Sequence, residues 1–181
     1  MSILDKVNAK SRSIVQNFTD QETANYIEAG LLYQIVVAGR FHTAVMNVLY
    51  NHAENDELKT LIKEAIDHLV EKTQKYSEDF LMTNKAALPN TQFTERPLDR
   101  VDDIPHSAHF RDMEIAMIIQ EMHGASQMAL LAAISQSYHL DTAARLRKEL
   151  NMGFDWAYRL QQLMLSQNWL PEIAKVNQVV H

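Results

Sequence analysis

The sequence predicts an all-α protein, a four-helix bundle with one long crossover, and three observations carry that prediction. Apolar residues recur at helical spacing through four stretches of about 27–31 residues each. The first and second stretches, and the third and fourth, are separated by a few residues only, which makes each pair antiparallel neighbours. The second and third are joined by residues 87–111, which hold three of the four prolines, Pro89, Pro97 and Pro105. With four glycines in 181 residues there is also little material for a turn-rich β fold.

Residues 2–18 read as a short amphipathic helix, with Ile3, Leu4, Val7, Ile14 and Val15 near one stripe and Lys6, Lys10 and Arg12 away from it. Such a helix suits a membrane surface, but packing on the main body or on a partner subunit is the preferred reading. The first bundle helix is expected from about Thr23 to Ala53. Its stripe is Ile27, Leu31, Ile35, Ala38, Val45 and Leu49, with Tyr33, Arg40, Thr43, Asn47 and Asn51 opposite. Asn55 or Asp56 can cap the second helix, expected from about Asp56 to Lys85. Leu58, Leu61, Ile62, Ala65, Ile66, Leu69, Thr73, Tyr76 and Phe80 form its buried face, and charges crowd the other side.

At about 3.3 Å per extended residue, the stretch 87–111 can run the length of a bundle helix. Phe93, Leu98, Val101, Ile104 and Phe110 would anchor it. The third helix, about Asp112 to Tyr138, is apolar nearly all round and so expects cover on more than one side. The fourth, about Asp141 to Asn168, is expected to be capped by Asp141. Its seam is Leu146, Leu150, Gly153, Ala157, Leu160 and Met164, in which Gly153 and Ala157 would let a neighbouring backbone approach. Pro171 prevents continuation after Trp169-Leu170. A short turn, a long crossover and a second short turn make the single-crossover, ferritin-like layout. The expected organisation is an N-terminal amphipathic helix over 1–20, the bundle over 21–171 and a C-terminal tail over 172–181.

Composition narrows the function. Seventeen Lys and Arg against 23 Asp and Glu leave a formal charge of −6, which argues against a nucleic-acid binder. The absence of cysteine excludes disulfides, thiolate zinc sites, iron–sulfur clusters and a Cys nucleophile. There is no GxGxxG, GxxxxGK[ST] or GxSxG motif. The most apolar early run, Leu31 to Phe41, carries Gln34 and Arg40 and falls short of the ~20 apolar residues of a membrane span. Asp5 makes the first residues unlike a secretory signal. A cytoplasmic protein is expected.

Several short segments, in order, carry a family resemblance. They are Asn51-His52-Ala53 with Glu57-Leu58-Lys59, then Leu88-Pro89, Asp103-Ile104-Pro105, the run Phe110-Arg111-Asp112-Met113-Glu114-Ile115-Ala116, and Trp169-Leu170. Over roughly residues 25–171 the chain resembles an uncharacterised family of endospore-forming bacteria, related to spore coat protein F and ferritin-like in fold. It departs from that pattern at Asn168, where glycine is usual, and at Pro171-Glu172, where two prolines are usual. The resemblance implies a helical bundle and a spore-associated role, and no catalytic residue.

A ferritin-like bundle raises the question of a di-iron site, which takes a Glu from each of two helices and Glu-x-x-His from each of the other two. Glu64 and His68 share a face of the second helix, but each lies about 160° from Ile66 at ~100° per residue, on the charged side. The fourth helix has no histidine, and Glu149 and Asp155 are read as lying off its seam. The complete ligand set is absent. The inward polar candidates are His42, near the middle of the first stripe, and Glu121 on the third helix, which layer counting places at a similar height. They are candidates for a buried pair or for weak metal ligands. Glu28 is expected to meet Arg147, and Asp112 and Glu114 to serve the start of the third helix.

The expected function is that of a non-enzymatic helical-bundle protein, spore-coat-like or self-associating. A homodimer or other spore or cell proteins would be its partners, without nucleic acid or a membrane span. The alternative is a ferritin-like protein that binds a divalent metal ion or a small ligand in the interior around His42 and Glu121.

Overall fold

The computed structural model describes residues 23–94, 96–98 and 104–170; the predicted helix at 2–18, the tail at 172–181 and the anchor Val101 lie outside the described residues. Among the described residues the protein is all-helical, with four long helices and no strand. The first helix, α1 (Tyr26–His52), starts a few residues later than its periodicity suggests, because the Asn25 side chain accepts from the amides of Ile27 and Glu28 and caps it there. Asn55 caps α2 (Asp56–Glu64) by accepting from Leu58 N.

The second long helix is not uniform. After α2 comes a π-helical turn, Ala65–Val70, and then α3 (Glu71–Thr83). The π turn holds the buried face in phase. At ~100° per residue an unbroken α-helix would place Leu81 about 100° around from Ile62, yet both are buried. The helix stops at Lys85, which has φ 56°. Ala86 N donates to Leu81 O (2.9 Å) and Lys85 N to Met82 O (3.0 Å), the paired bonds of a Schellman end.

A short 3-10 turn (His106–Ala108) precedes α4 (Asp112–Gln136), and α5 (Leu140–Ser166) completes the set. α5 does not start as expected. Its N-cap is His139, and Asp141 lies inside the first turn. Glu28 of α1 supplies an acceptor at that end instead, taking the His139 amide (3.3 Å) and setting a carboxylate by the helix N-terminus. The far end closes at Asn168, φ 57°, with Trp169 N donating to Met164 O (2.9 Å). Asparagine tolerates this left-handed position and glycine prefers it, so the departure from the glycine pattern keeps the same turn.

Contacts at the helix ends give the directions. Asp112 accepts from Glu54 N (2.8 Å) and Asn55 N (3.1 Å), so α4 starts where α1 ends and runs antiparallel to it. Glu28 meets His139, so α5 runs alongside α1. α1 packs on α3 and α4, and α4 on α5. The described residues of the crossover between Pro89 and Pro97 lie along the polar side of α1. Arg40 donates to Pro89 O (2.6 Å) and Thr91 O (3.1 Å), Asn47 to Arg96 O (3.2 Å) and Asn51 to Pro97 O (2.9 Å). These side chains satisfy carbonyls that no ladder provides for. Leu98 packs on the core, and Phe93 and Phe110 stack on Phe41 and His52.

The apolar core has two parts. One lies at the α1–α2 turn and joins Leu49, Leu58, Ile62, Ile115, Ile119, Trp156, Leu160 and Met164. The other lies at the opposite end and joins Leu32, Ile35, Val36, Leu81, Ala133 and Leu146.

Candidate functional site

Between the two apolar clusters the helices turn polar side chains inward around a cavity of about 90 Å³. α1 contributes His42, α3 Thr73 and Gln74, α4 His123, Ser126 and Gln127, and α5 Glu149, while the π turn adds Leu69 and Val70. Two glycines admit the larger of these groups. A Cβ on Gly153 would lie 3.0 Å from His123 Cε1, and one on Gly39 would lie 3.1 Å from Gln74 Oε1. Gly153 thus makes room for an imidazole ring, where the sequence had suggested an approaching backbone. That ring also packs against Trp156, centroid to centroid 5.0 Å, whose indole N–H donates to Leu61 O (3.0 Å).

Glu149 is the most enclosed group of this layer, 3% exposed. Its Oε1 lies 3.0 Å from Arg145 Nη2, one turn away. Its Oε2, together with His123 Nε2 and Gln127 Nε2, is buried without a protein partner. Burial pushes both imidazoles below the ordinary histidine range, against a backbone hydrogen bond with Gly153 in the case of His123. Both rings are therefore neutral near pH 7. Ser126 Oγ donates to Met122 O (2.9 Å) and lies 3.3 Å from His42 Nδ1, so Nδ1–H is the donor in that contact.

The expected pair of His42 and Glu121 is not formed. His42 meets Ser126, and Glu121 is exposed. The inward face of α4 is centred near Ile119, and Glu121 lies about 160° from it at ~100° per residue. Glu149 corrects a second expectation, since it is buried. The inward face of α5 is wider than the seam first drawn and takes in Thr142, Glu149, Trp156 and Leu163. The spacing of seven residues among these four was the signal available in the sequence.

A second polar layer lies near the other end. Glu28, 2% exposed, accepts from Ser137 Oγ (2.5 Å) and lies 2.7 Å from His139 Nδ1, besides taking the His139 amide. Its expected partner Arg147 is exposed on the outer side of α5. The height was right, but the α4–α5 turn supplies the partners. Glu64 pairs with Arg159 of α5, Nη1 to Oε2 2.8 Å, and this bond lowers its carboxyl below the usual range; His68 is exposed. Asp112 serves the α1–α2 turn, and Glu114 accepts from Arg111 N (2.8 Å). Among the described residues no group of three or more His, Asp or Glu is arranged to hold a metal ion. Also among the described residues, no helix is long and apolar enough to cross a membrane.

The profile of a family described as protein of unknown function (DUF3231) matches residues 12–177. The chain belongs to the DUF3231 family. The uncharacterized protein YvdQ of Bacillus subtilis (strain 168) is 28% identical over 130 residues, which span 72% of this chain and 75% of that protein. A crystal structure described as that of a "putative spore coat protein" from Bacillus halodurans C-125 matches with a TM-score of 0.80, at 24% identity. That match covers 87% of this chain and 98% of the other, and it shows a shared fold.

The outside of this DUF3231 chain carries an apolar face. Met113, Met117, Met128 and Leu131 are exposed along α4, Met128 by 67%. Among the described residues, nothing covers the apolar side of this helix on which they lie. On α5, Phe154 and Tyr158 are also exposed, and a shallow cleft lined by Gln120, Phe154, Ala157, Tyr158 and Gln161 joins the two helices.

Proposed function

We propose that this DUF3231 chain is a non-enzymatic structural protein that acts by self-association, a spore-coat-like component built on a ferritin-like four-helix bundle. The observation that carries the reading is the pattern on the outer face of α4. Met113 and Met117 lie about as far before residue 122 as Leu131 and Met128 lie after it. In an antiparallel second copy, Met113 faces the second copy's Leu131, and Met117 faces its Met128. A two-fold interface requires this self-complementarity. Near the crossing point, Gly124 has open space where a Cβ would stand, so two helices can close on each other. Exposed apolar residues gathered on one face of a helix mark an interaction surface.

The likeness to the Bacillus halodurans protein described as a "putative spore coat protein" supports spore association as the setting, with other spore proteins as further partners of an assembly formed in the cytoplasm. Sedimentation equilibrium tests the reading. The wild type is expected to be a dimer at micromolar concentration, and Met117→Glu with Met128→Glu a monomer with unchanged helix content. A wild-type monomer at high micromolar concentration would overturn it.

A further inference from the structure

The cavity between the two apolar clusters has features that self-association does not use. Its walls are mostly hydrocarbon, from residues such as Ile35, Leu69, Ile119 and Leu150. Its polar atoms converge from two helices: Gln127 Nε2 and His123 Nε2 from α4, and Glu149 Oε2 from α5, all buried without a protein partner. Leaving such groups without a partner costs free energy, and native interiors seldom do so.

We propose that this cavity is a binding site for a small, neutral, hydroxyl-bearing molecule with an apolar body, such as a short alcohol. The charge balance selects a neutral ligand. The Glu149 carboxylate is already matched by Arg145, and neither imidazole adds a charge near pH 7. The donor and acceptor pattern selects a hydroxyl. One O–H can donate to Glu149 Oε2 while its oxygen accepts from the Gln127 amide, so a single group satisfies both. His123 Nε2 stands by as a third partner. The walls select a hydrocarbon body, and the volume limits its size. A cavity of about 150 Å³ accepts benzene, so about 90 Å³ suits roughly three to four non-hydrogen atoms.

The residues that line the site all lie on helices. Gly39 and Gly153 leave room for Gln74 and His123, and the π turn widens the helix beside them. π turns within α-helices occur frequently at functional sites.

Nuclear magnetic resonance of the full chain tests the proposal, with the Trp156 indole N–H and the His123 ring as reporters. Three probes of similar shape are titrated: 2-propanol, isobutane and isopropylammonium. 2-Propanol is expected to give saturable shifts at both reporters and to bind about tenfold or more tightly than either of the others, as sites built to pair a hydroxyl discriminate. Gln127→Leu should remove most of that preference, and Ala38→Leu, which fills the cavity, should abolish binding. If either variant misfolds, the ranking of the three probes on the wild type decides alone. Equal affinity for isobutane would overturn recognition of the hydroxyl, and tighter binding of the ammonium would overturn the neutral ligand. Shifts that never saturate, or none at all, would mean that the cavity holds water only and would overturn the site.

Discussion

Two glutamates are buried to the same degree in this molecule, and their surroundings differ. Glu28 is met on both oxygens by Ser137, the His139 amide and the His139 ring. Glu149 is met on one oxygen by a single arginine of its own helix, and its other oxygen faces a cavity. The first ties α1 to the α4–α5 turn and acts as a lock. The second leaves hydrogen-bonding capacity unspent inside the protein. A fully paired buried acid fixes an arrangement of helices, whereas a half-paired one retains chemistry that a ligand could use.

The strongest way to break that contrast is to remove each acid and compare the losses. Glu28→Leu strands Ser137 and His139 and should cost about 3–5 kcal/mol in urea denaturation. Glu149→Gln keeps the shape and leaves Arg145, which reaches solvent, so the cost should be about 1–2 kcal/mol. Equal losses would mean that both acids are structural locks.

A smaller effect separates the layers by pH. His42 and His123 have folded-state pKa values held below the ordinary range by burial, so the unfolded chain binds more protons than the folded one as pH falls through about 6.5. Their contribution to stability is complete above that pH and is lost below it. Calorimetry should show Tm falling between about pH 7.5 and pH 5.5. The slope should flatten when both are replaced by phenylalanine and should be unchanged in a Met117→Glu variant. The smallest expected effect is that of Ala38→Val. In a tightly packed core an added methylene group costs about 1–3 kcal/mol. Beside this cavity the change should stay within about 0.5 kcal/mol, and a larger loss would mean that the space is not available.

Four helices and the long crossover were legible because each helix repeats its apolar residues over many turns, and three prolines mark the link. The ends were less legible than the middles. Asn25 moves the start of α1 through a local cap, and a tertiary partner, Glu28, sets a carboxylate at the start of α5 in place of Asp141. His42 was found as an inward polar group, since it sits on a clear stripe. Its partner was misassigned because Glu121 borders apolar residues in sequence while facing solvent in space. Glu149 was missed because one seam was drawn on a helix whose buried face is broad. No spacing in the sequence announced the π turn, since its effect is to keep an otherwise drifting pattern in line.

That π turn also bears on how the chain tolerates changes in length. Ala65–Val70 holds about one residue more than a regular helix needs over the same rise. Removing one residue there would let the helix close into regular α geometry with hardly any change in its span. Because the extra residue is what the wider turn absorbs, the residues downstream would keep their facing. Thr73 and Ser77 would stay in the interior, and Leu81 in its cluster at the far end. A single-codon deletion in this turn should therefore be far less damaging than a deletion of the same size in α2 or α3, where nothing absorbs the rotation of about 100°.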